Sequence, residues 1–253
     1  MLLKSRETIG IRVFLLYLGM CISSLVHAQL FSEYNFKFKN YTAKDGLPHD
    51  KVNKVAQDSK GFLWLATEGG LSRFDGHSFK NYRNRANDTT SLPYDNLVDI
   101  VVDGKDRLWL AYDHGFCSFD PYSGMFQKYS YKGKNVACQK LIYDPATRRI
   151  YLASRNDGLY FIDEKSIELK STALSQQLLQ NVTSLFMDSD GILWVTIERH
   201  GFYKYNWRED KVAYSPGHDW LMFISEDRIR HQLYAGSWLG EFMPFDGEKL
   251  PVE

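Results

Sequence analysis

The sequence has no excess of charge, few cysteines and no hydrophobic run long enough to span a membrane. The 31 basic and 31 acidic side chains cancel, which argues against a general nucleic-acid-binding protein and against a polybasic membrane anchor. With 3 cysteines in 253 residues, disulfides cannot form the scaffold. The aromatic content is high instead, with 16 Tyr, 16 Phe and 6 Trp. This excludes a disordered chain and predicts a globular one.

An apolar run from Val13 to Ile22 follows a basic amino-terminal segment and precedes small residues that end at Ala28. The run is about half of the ~20 residues that a bilayer span requires, and this order of segments is typical of a secretory signal peptide. We therefore predict a signal peptide over residues 1–28. The mature chain, residues 29–253, is predicted to be periplasmic and not inserted into the membrane.

The three cysteines raise two alternatives to this interpretation. A lipoprotein anchored through Cys21 is disfavoured, because the residue before a lipidated cysteine is usually small and here it is Met20. A bridge between Cys117 and Cys138 is permitted in an oxidising compartment. Both residues stand in apolar segments, however, where cysteine usually packs as a small hydrophobic residue, so we expect two buried free thiols.

One pattern recurs along most of the mature chain. Its first copy begins at Asp58 and reads DSKGFLWLATEGGLSRFDGHSFKNY, and later copies begin at Asp103, Asp144, Asp188 and Asp227. The central aromatic residues of the copies are about 40–45 residues apart, which is the period of four-stranded propeller blades. These aromatic residues are Trp64, Trp109, Tyr151, Trp194 and Tyr234.

Each copy is predicted to form four short strands. In the first copy we expect strands over Val52–Gln57, Phe62–Thr67, Leu71–Phe74 and Ser78–Tyr82, with a tight hairpin at the Asp-Ser-Lys-Gly segment. The second strand is almost wholly apolar, as expected where both faces of a blade are covered. A glycine opens the third strand of each copy, at a site of close backbone approach or positive φ. These glycines are Gly70, Gly115, Gly158, Gly201 and Gly240.

The pattern Asp-x-x-Gly-x-Leu-Trp-x-x-Thr-x-x-Gly-Leu-x-x-Phe-Asp resembles the two-component regulator propeller repeat, from about Phe36 to Gly247. The resemblance implies an all-β chain, a β-propeller of four-stranded blades with about five blades present. It also implies the periplasmic sensor half of a hybrid histidine kinase of the kind found in glycan-degrading bacteria. In full-length homologues the kinase module lies in cis, and this chain itself carries no kinase residues.

The two ends of the repeat region allow two architectures. Phe36–Tyr41 resembles a fourth strand without a blade before it, and the last copy stops near Gly247 after its third strand. The two ends could therefore complete one blade and close a five-bladed ring. The family usually has seven blades, and at about 43 residues per blade a seven-bladed ring needs about 300 residues. We favour a truncated part of a seven-bladed ring.

The loops between the second and third strands differ from copy to copy, whereas the blade core does not. Residues shared by all copies meet a structural demand, so the variable loops are free to bind a ligand. Their planar polar groups suit sugar hydroxyls or carboxylates, and Tyr94, Trp220 and Trp238 could stack on a sugar. The predicted ligand-binding residues are Glu68, Asp113, His114, Arg155, Asn156, Asp157, Arg199, His200 and Trp238.

Motifs of other chemistry are incomplete. Gly236–Gly240 has Trp238 where a nucleophile elbow requires serine, and a calcium loop starting at Asp188 would reach Arg199 where glutamate is required. We therefore expect no catalytic residues, metal or cofactor, and a non-enzymatic sensor whose partner is an oligosaccharide, with the kinase module or a second copy of the chain as further partner. The alternatives are a polysaccharide lyase or glycosidase, which would use rim carboxylates such as Glu68 or Glu198, and a protein-interaction platform.

Overall fold

The computed structural model describes residues 37–155, 157–175, 181–216 and 221–247. The chain divides into two units, Met1–Asn40 and Tyr41–Glu253. Of the first unit, residues 37–40 are described and have no regular secondary structure. The predicted signal peptide lies outside the described residues. No helix in the described part of the chain is long and apolar enough to cross a membrane.

The described residues of the second unit form five antiparallel sheets, each a blade built from consecutive strands. Blades 1 and 2 contain β1 Val52–Gln57, β2 Leu63–Thr67, β3 Gly70–Phe74, β4 Phe79–Tyr82, β5 Leu97–Val102, β6 Leu108–Tyr112, β7 Gly115–Asp120 and β8 Met125–Lys128. Blades 3 and 4 contain β9 Cys138–Asp144, β10 Arg149–Ser154, β11 Gly158–Asp163, β12 Leu169–Ser171, β13 Val182–Met187, β14 Ile192–Ile197, β15 Gly201–Asn206 and β16 Lys211–Ser215. Blade 5 contains β17 Leu221–Asp227, β18 Gln232–Ser237 and β19 Phe242–Phe245.

The blades are arranged around their first strands, as in a β-propeller. Strand β1 contacts β5, β5 contacts β9, β9 contacts β13 and β13 contacts β17, so the first strand of each blade is the innermost. The all-β fold class and the four-stranded blades predicted from the sequence are confirmed. Membership in a seven-bladed ring stays a prediction.

Successive blades pack face to face through their second strands. Each blade has two faces. The trailing face carries the central aromatic residue, and it packs against the leading face of the next blade. Trp64 of blade 1, for example, packs against Leu108, Leu110 and Phe119 of blade 2. Trp64, Trp109, Tyr151 and Trp194 are fully buried between blades, as the apolar second strands predict.

The expected strand over Phe36–Tyr41 is wrong in its described part, because residues 37–41 are not in a strand. The ring of Tyr41 lies 5.0 Å from that of Phe74 in an edge contact, which holds this residue against blade 1. The chain then turns through a short 3-10 helix, Ala43–Asp45, on its way to β1. Local packing on blade 1 thus takes the place of strand pairing at Tyr41.

Four of the five expected glycines open a third strand, but Gly240 does not. Strand β19 begins at Phe242, and Gly240 lies in the preceding loop with φ +85°. The backbone N–H of Ser237 donates to the carbonyl of Glu241 (2.9 Å) and closes a wider turn than in the other blades. The longer turn moves the left-handed glycine away from the strand.

The thiols of Cys117 and Cys138 are free and buried. Each belongs to a blade-to-blade core, with Cys117 between blades 1 and 2 and Cys138 between blades 2 and 3. Burial raises the pKa of both thiols, so they stay protonated and pack as small hydrophobic side chains. This agrees with the sequence-based expectation of two buried free thiols.

Candidate functional site

The loops between second and third strands share one end of the blades. Pairing of Val52 with Thr67 and of Leu97 with Tyr112 places these loops beside the start of the first strands. We call this end the rim; its described loop residues are 68–69, 113–114, 155, 157, 198–200 and 238–241. The Asp-x-x-Gly hairpins lie at the opposite end, since strands of five or six residues separate them from the rim.

Blades 2 and 3 bring two predicted site residues together. Arg155 Nη2 lies 3.8 Å from Asp113 Oδ1, in an ion pair that joins loops of adjacent blades. Both side chains are about half exposed, so solvent screens the pair and its contribution to stability is small. The pair therefore orients a guanidinium and a carboxylate at the surface, where both can also contact a ligand.

An aromatic group on blade 2 contacts the two residues that flank Asp113 in the sequence. The exposed ring of Tyr94 lies 5.7 Å from the ring of His114, edge-on, and 6.0 Å from that of Tyr112. Burial raises the pKa of the Tyr112 hydroxyl, which therefore stays protonated. A Cβ on Gly115 would come within 2.9 Å of the Tyr112 ring, so the glycine that opens β7 makes room for this aromatic group.

Blade 1 presents a different arrangement. Lys51, just before β1, donates a hydrogen bond to the carboxylate of Glu68 and forms an ion pair with it. This hydrogen bond lowers the pKa of Glu68, while partial desolvation opposes the shift. Glu68 is thus a fixed anion at neutral pH. A Cβ on Gly69 would lie 2.6 Å from the Pro48 carbonyl oxygen, so only glycine lets the preceding linker approach this loop closely.

The remaining predicted residues lie on the rim but not in one cluster. Asp157 accepts a hydrogen bond from Ser154 Oγ (3.3 Å), and Arg199 stands 4.0 Å from the neighbouring Glu198 carboxylate. His200 is exposed and anchored through its carbonyl, which accepts from the Tyr214 hydroxyl (2.5 Å). Trp238 is 69% exposed. Asn156, predicted to bind ligand, and Trp220, predicted to stack, lie outside the described residues.

One structural feature of the rim has no sequence signal that we recognised. In all five blades the pairing of the first and second strands shifts by one residue near the rim, which is a β-bulge. Two bulge side chains reach the next blade: Asn53 Nδ2 donates to the Leu97 carbonyl (2.7 Å), and the Val182 N–H donates to Gln139 Oε1 (3.3 Å). The bulges therefore aim inner-strand side chains across blade junctions at the rim. Tyr112, which packs against Tyr94, was also not predicted from the sequence to belong to the rim.

The rim carries aromatic rings, a guanidinium, carboxylates and an imidazole, which are the groups that stack on sugar rings and hydrogen-bond to sugar hydroxyls or carboxylates in proteins. Among the described residues, no group of three His, Cys, Asp or Glu side chains is placed to hold a metal ion.

Comparison with known proteins agrees with the architecture. The fold defines a β-propeller, and residues 46–69 and 177–199 match the two-component regulator propeller family. Two segments of the chain therefore match the repeat family that its sequence pattern resembles.

Individual relatives resemble parts of the chain. Over 57 residues it is 51% identical to histidine kinase P4 of Formosa agariphila, a stretch that makes up 22% of this chain and 4% of that protein. The extracellular domain of a hybrid two-component system of B. thetaiotaomicron superposes with a TM-score of 0.70 at 18% identity, covering 83% of this chain and 30% of that one. Virginiamycin B lyase of Staphylococcus aureus superposes with a TM-score of 0.57 at 12% identity, covering 80% and 71%. The two structural likenesses show the fold, and the chain spans less than a third of the first two relatives.

Proposed function

We propose that the chain is the periplasmic sensor propeller of a two-component system and that its rim binds a ligand without converting it. The repeat family supports the sensor part of this proposal. The observation that carries the binding part is the Asp113–Arg155 pair, which joins two adjacent blades, together with the exposed ring of Tyr94, which contacts His114 next to Asp113 in the sequence.

The ligand that suits this chemistry is a glycan fragment. A sugar ring stacks on an aromatic side chain such as Tyr94. Its hydroxyls donate hydrogen bonds to carboxylate groups and accept hydrogen bonds from guanidinium groups. A uronate carboxylate would pair with Arg155 in a bidentate geometry, which lysine cannot provide. An acidic or neutral oligosaccharide is therefore the proposed ligand class.

In this proposal the output is a change in a kinase located outside this chain. A ligand shifts a conformational equilibrium only through different affinities for its two states. Loops of adjacent blades that share one ligand, such as those of Asp113 and Arg155, supply such a difference, because their separation depends on how the blades are arranged.

A catalytic role is the competing function, and the charge state of the rim argues for binding. A general acid needs a carboxyl with a raised pKa, but Lys51 lowers the pKa of Glu68. Asp113 is engaged in an ion pair with Arg155. An assay for product formation from candidate polysaccharides distinguishes a lyase or glycosidase from a propeller that only binds its ligand.

Calorimetric titration with a panel of neutral and uronate-containing oligosaccharides tests the proposal. Arg155→Ala should weaken binding by about 1–3 kcal/mol, or about 5–150-fold in Kd, because a charged hydrogen-bond donor to the ligand is lost. The matched control is Lys60→Ala on the opposite hairpin, where Lys60 lies over the Tyr122 ring, and it should bind as the parent does.

Three other results would contradict the proposal. Equal affinities of the parent and Arg155→Ala would move the site away from the rim. No heat with any oligosaccharide, together with capture of a defined protein, would favour the interaction platform. Turnover of a polysaccharide would favour the enzyme.

A further inference from the structure

A groove of about 550 Å³ opens between blades 2 and 3, between the segment that follows β8 and the outer strand β12. We call it the junction groove; its walls are residues 129–132 and 167–171. Its volume falls within the range of about 300–1,000 Å³ that is typical of ligand sites. Blades 2 and 3 are both flanked by other described blades, so the groove is not a face that a further blade would cover.

The junction groove lies towards the rim end of the blades. Strand β8 runs towards the rim, because its last residue, Lys128, pairs with Cys117, two positions after the glycine that opens β7 at the rim. The segment after β8 forms one wall of the groove, and further along the same linker the Ala137 carbonyl accepts a hydrogen bond from the Arg155 N–H (3.2 Å). The groove therefore occupies the same blade junction as the rim ion pair of Arg155.

Positive charge is concentrated on one wall of the groove. Residues 128–134 include three lysines and no acidic residue. Lys132 lines the groove, and its Nζ lies 5.1 Å from the centre of the Tyr131 ring. On the other wall, Lys170 stands 3.8 Å from the Glu168 carboxylate. The groove thus carries a net positive charge in a chain whose charges cancel, which favours an anionic ligand.

An aromatic ring is fixed between the two walls. The half-buried ring of Tyr131 packs edge-on against that of Tyr160 at 5.1 Å, and its hydroxyl donates to Ser171 Oγ (3.3 Å) on the opposite wall. A ring of this kind stacks on the apolar face of a sugar, and a neighbouring ammonium group pairs with a carboxylate on that sugar. Together these groups suit an acidic sugar residue.

We propose that the junction groove binds the acidic sugar residues of an anionic oligosaccharide, and that one such ligand covers both the groove and the rim ion pair. This inference rests on the proposed function and narrows its ligand class from acidic or neutral glycans to acidic ones. A sugar stacked on Tyr131 places its carboxylate between Lys132 and Lys170, while another residue of the same chain reaches Arg155. The ligand then contacts blades 2 and 3 at two places.

The turn that carries Lys132 allows its charge to be removed without disturbing the backbone. Lys132 (φ +49°) and Gly133 (φ +76°) form a two-residue left-handed turn. Two backbone hydrogen bonds of 2.9 Å between Tyr131 and Lys134 close it. Asn-Gly is a preferred sequence for such a turn, so Lys132→Asn should keep its conformation.

Calorimetric titration with oligogalacturonates of increasing length tests the proposal. The affinity of the parent should rise with length until the ligand covers both sites. The double variant Lys132→Asn, Lys170→Gln should bind the longest chain about three- to tenfold more weakly, because two ion pairs with the ligand are lost. High salt should reduce this difference, and a neutral oligogalactose of equal length should bind the variant and the parent alike. Lys80→Gln is the matched control, because Lys80 also lies over a tyrosine ring on the outer strand of its blade, and it should bind as the parent does.

The outcomes separate this proposal from the proposed function. Equal affinities of the double variant and the parent, with weaker binding by Arg155→Ala, would overturn the groove and leave the rim site. Weaker binding by the double variant alone would contradict the rim site and with it the shared ligand. Equal affinity for a polyglutamate of the same charge would overturn the glycan assignment, because an acidic peptide would then suffice. Circular dichroism verifies folding, and Lys170→Gln alone replaces a double variant that does not fold.

Discussion

At the scale of single residues, the repeat is organised by one hydrogen bond between its aspartate and its tryptophan. The indole N–H of Trp109 donates to Asp103 Oδ2 (3.0 Å), and the same bond joins Asp58 to Trp64 at 2.8 Å. The other carboxylate oxygen of Asp103 accepts the N–H of Lys105 (2.9 Å) and closes the hairpin. One side chain therefore shapes the turn and satisfies a buried indole, which explains why the two residues recur together.

Removing this carboxylate should destabilise a blade. We expect Asp103→Ala to lower the free energy of unfolding by about 1–3 kcal/mol, because the Trp109 indole N–H is left buried without a partner. Urea unfolding followed by fluorescence measures the change. The control is Asp227→Ala, which loses turn bonds to Ile229 and Arg230 but has a tyrosine as its central aromatic residue, and its cost should be smaller. Equal costs would contradict the account.

A second residue-scale prediction concerns Glu164, whose buried side chain accepts from Arg148 (Nη2, 2.8 Å) and Tyr143 (3.0 Å) and lies 3.6 Å from Lys105. The Arg148 hydrogen bonds lower the pKa of Glu164 below its usual 4.5. The resulting stability is present above that pH and is lost as the pH falls through the lowered value. At pH 7 the free energy of unfolding of the parent should be about 1–3 kcal/mol higher than that of Glu164→Gln. This difference should shrink below about pH 4.5. Urea midpoints measured against pH check this, and a constant difference would contradict it.

At the scale of elements, hairpin length and the identity of the central aromatic change together. Where the aspartate precedes a tryptophan by six positions, the left-handed residue is the third after the aspartate, as in Gly61 with φ +86°. Where it precedes a tyrosine by seven, as Asp144 precedes Tyr151, the left-handed residue is the fourth, Arg148 with φ +54°. The longer turn changes the register between carboxylate and ring, and Asp144 Oδ2 accepts instead from Thr147 Oγ1 (2.5 Å).

We therefore expect blade 3 not to accept a tryptophan at its central aromatic position, Tyr151. Tyr151→Trp should destabilise the chain by about 1–3 kcal/mol, because the larger ring overfills a fully buried position. Thermal melting of the parent and the variant measures the effect, with Tyr234→Trp on the partly exposed blade 5 face as the control. A raised melting temperature for Tyr151→Trp would show that the longer turn does not change the pairing.

Strands could be predicted from the sequence where one residue type meets one demand. The blades were predicted correctly from the apolar second strands and from the glycines that open the third strands, because a buried strand and a close turn restrict the residue type. These glycines are Gly70, Gly115, Gly158 and Gly201. The bulges could not be predicted, since the five bulge positions carry Asn, Val, Gln, Thr and Met, which share no property. The Asp113–Arg155 pair was also beyond reach, because its distance depends on the rotation between two blades.

At the scale of the whole molecule, the blades are tied together at both ends as well as through their cores. On the hairpin end, the backbone N–H of Ser59 donates to Asp106 of the next blade (2.8 Å), and that of Ser189 donates to Glu226 (2.8 Å). At the rim, adjacent blades are joined by bulge side chains and by the Asp113–Arg155 pair. Any ligand that joins two rim loops therefore acts on an arrangement of blades rather than on one loop.

Hydrogen–deuterium exchange with and without a bound oligosaccharide tests the central claim that this shared frame presents a binding rim. The account predicts slower exchange of rim peptides, above all residues 112–116 of blade 2 and the described rim of blade 3, with residues 58–62 and 103–107 of the opposite hairpins unchanged. The ligand is the tightest binder from the calorimetric panel, at a concentration that saturates the chain. Protection confined to the hairpins, or to the outer strands, with an unchanged rim would contradict the account.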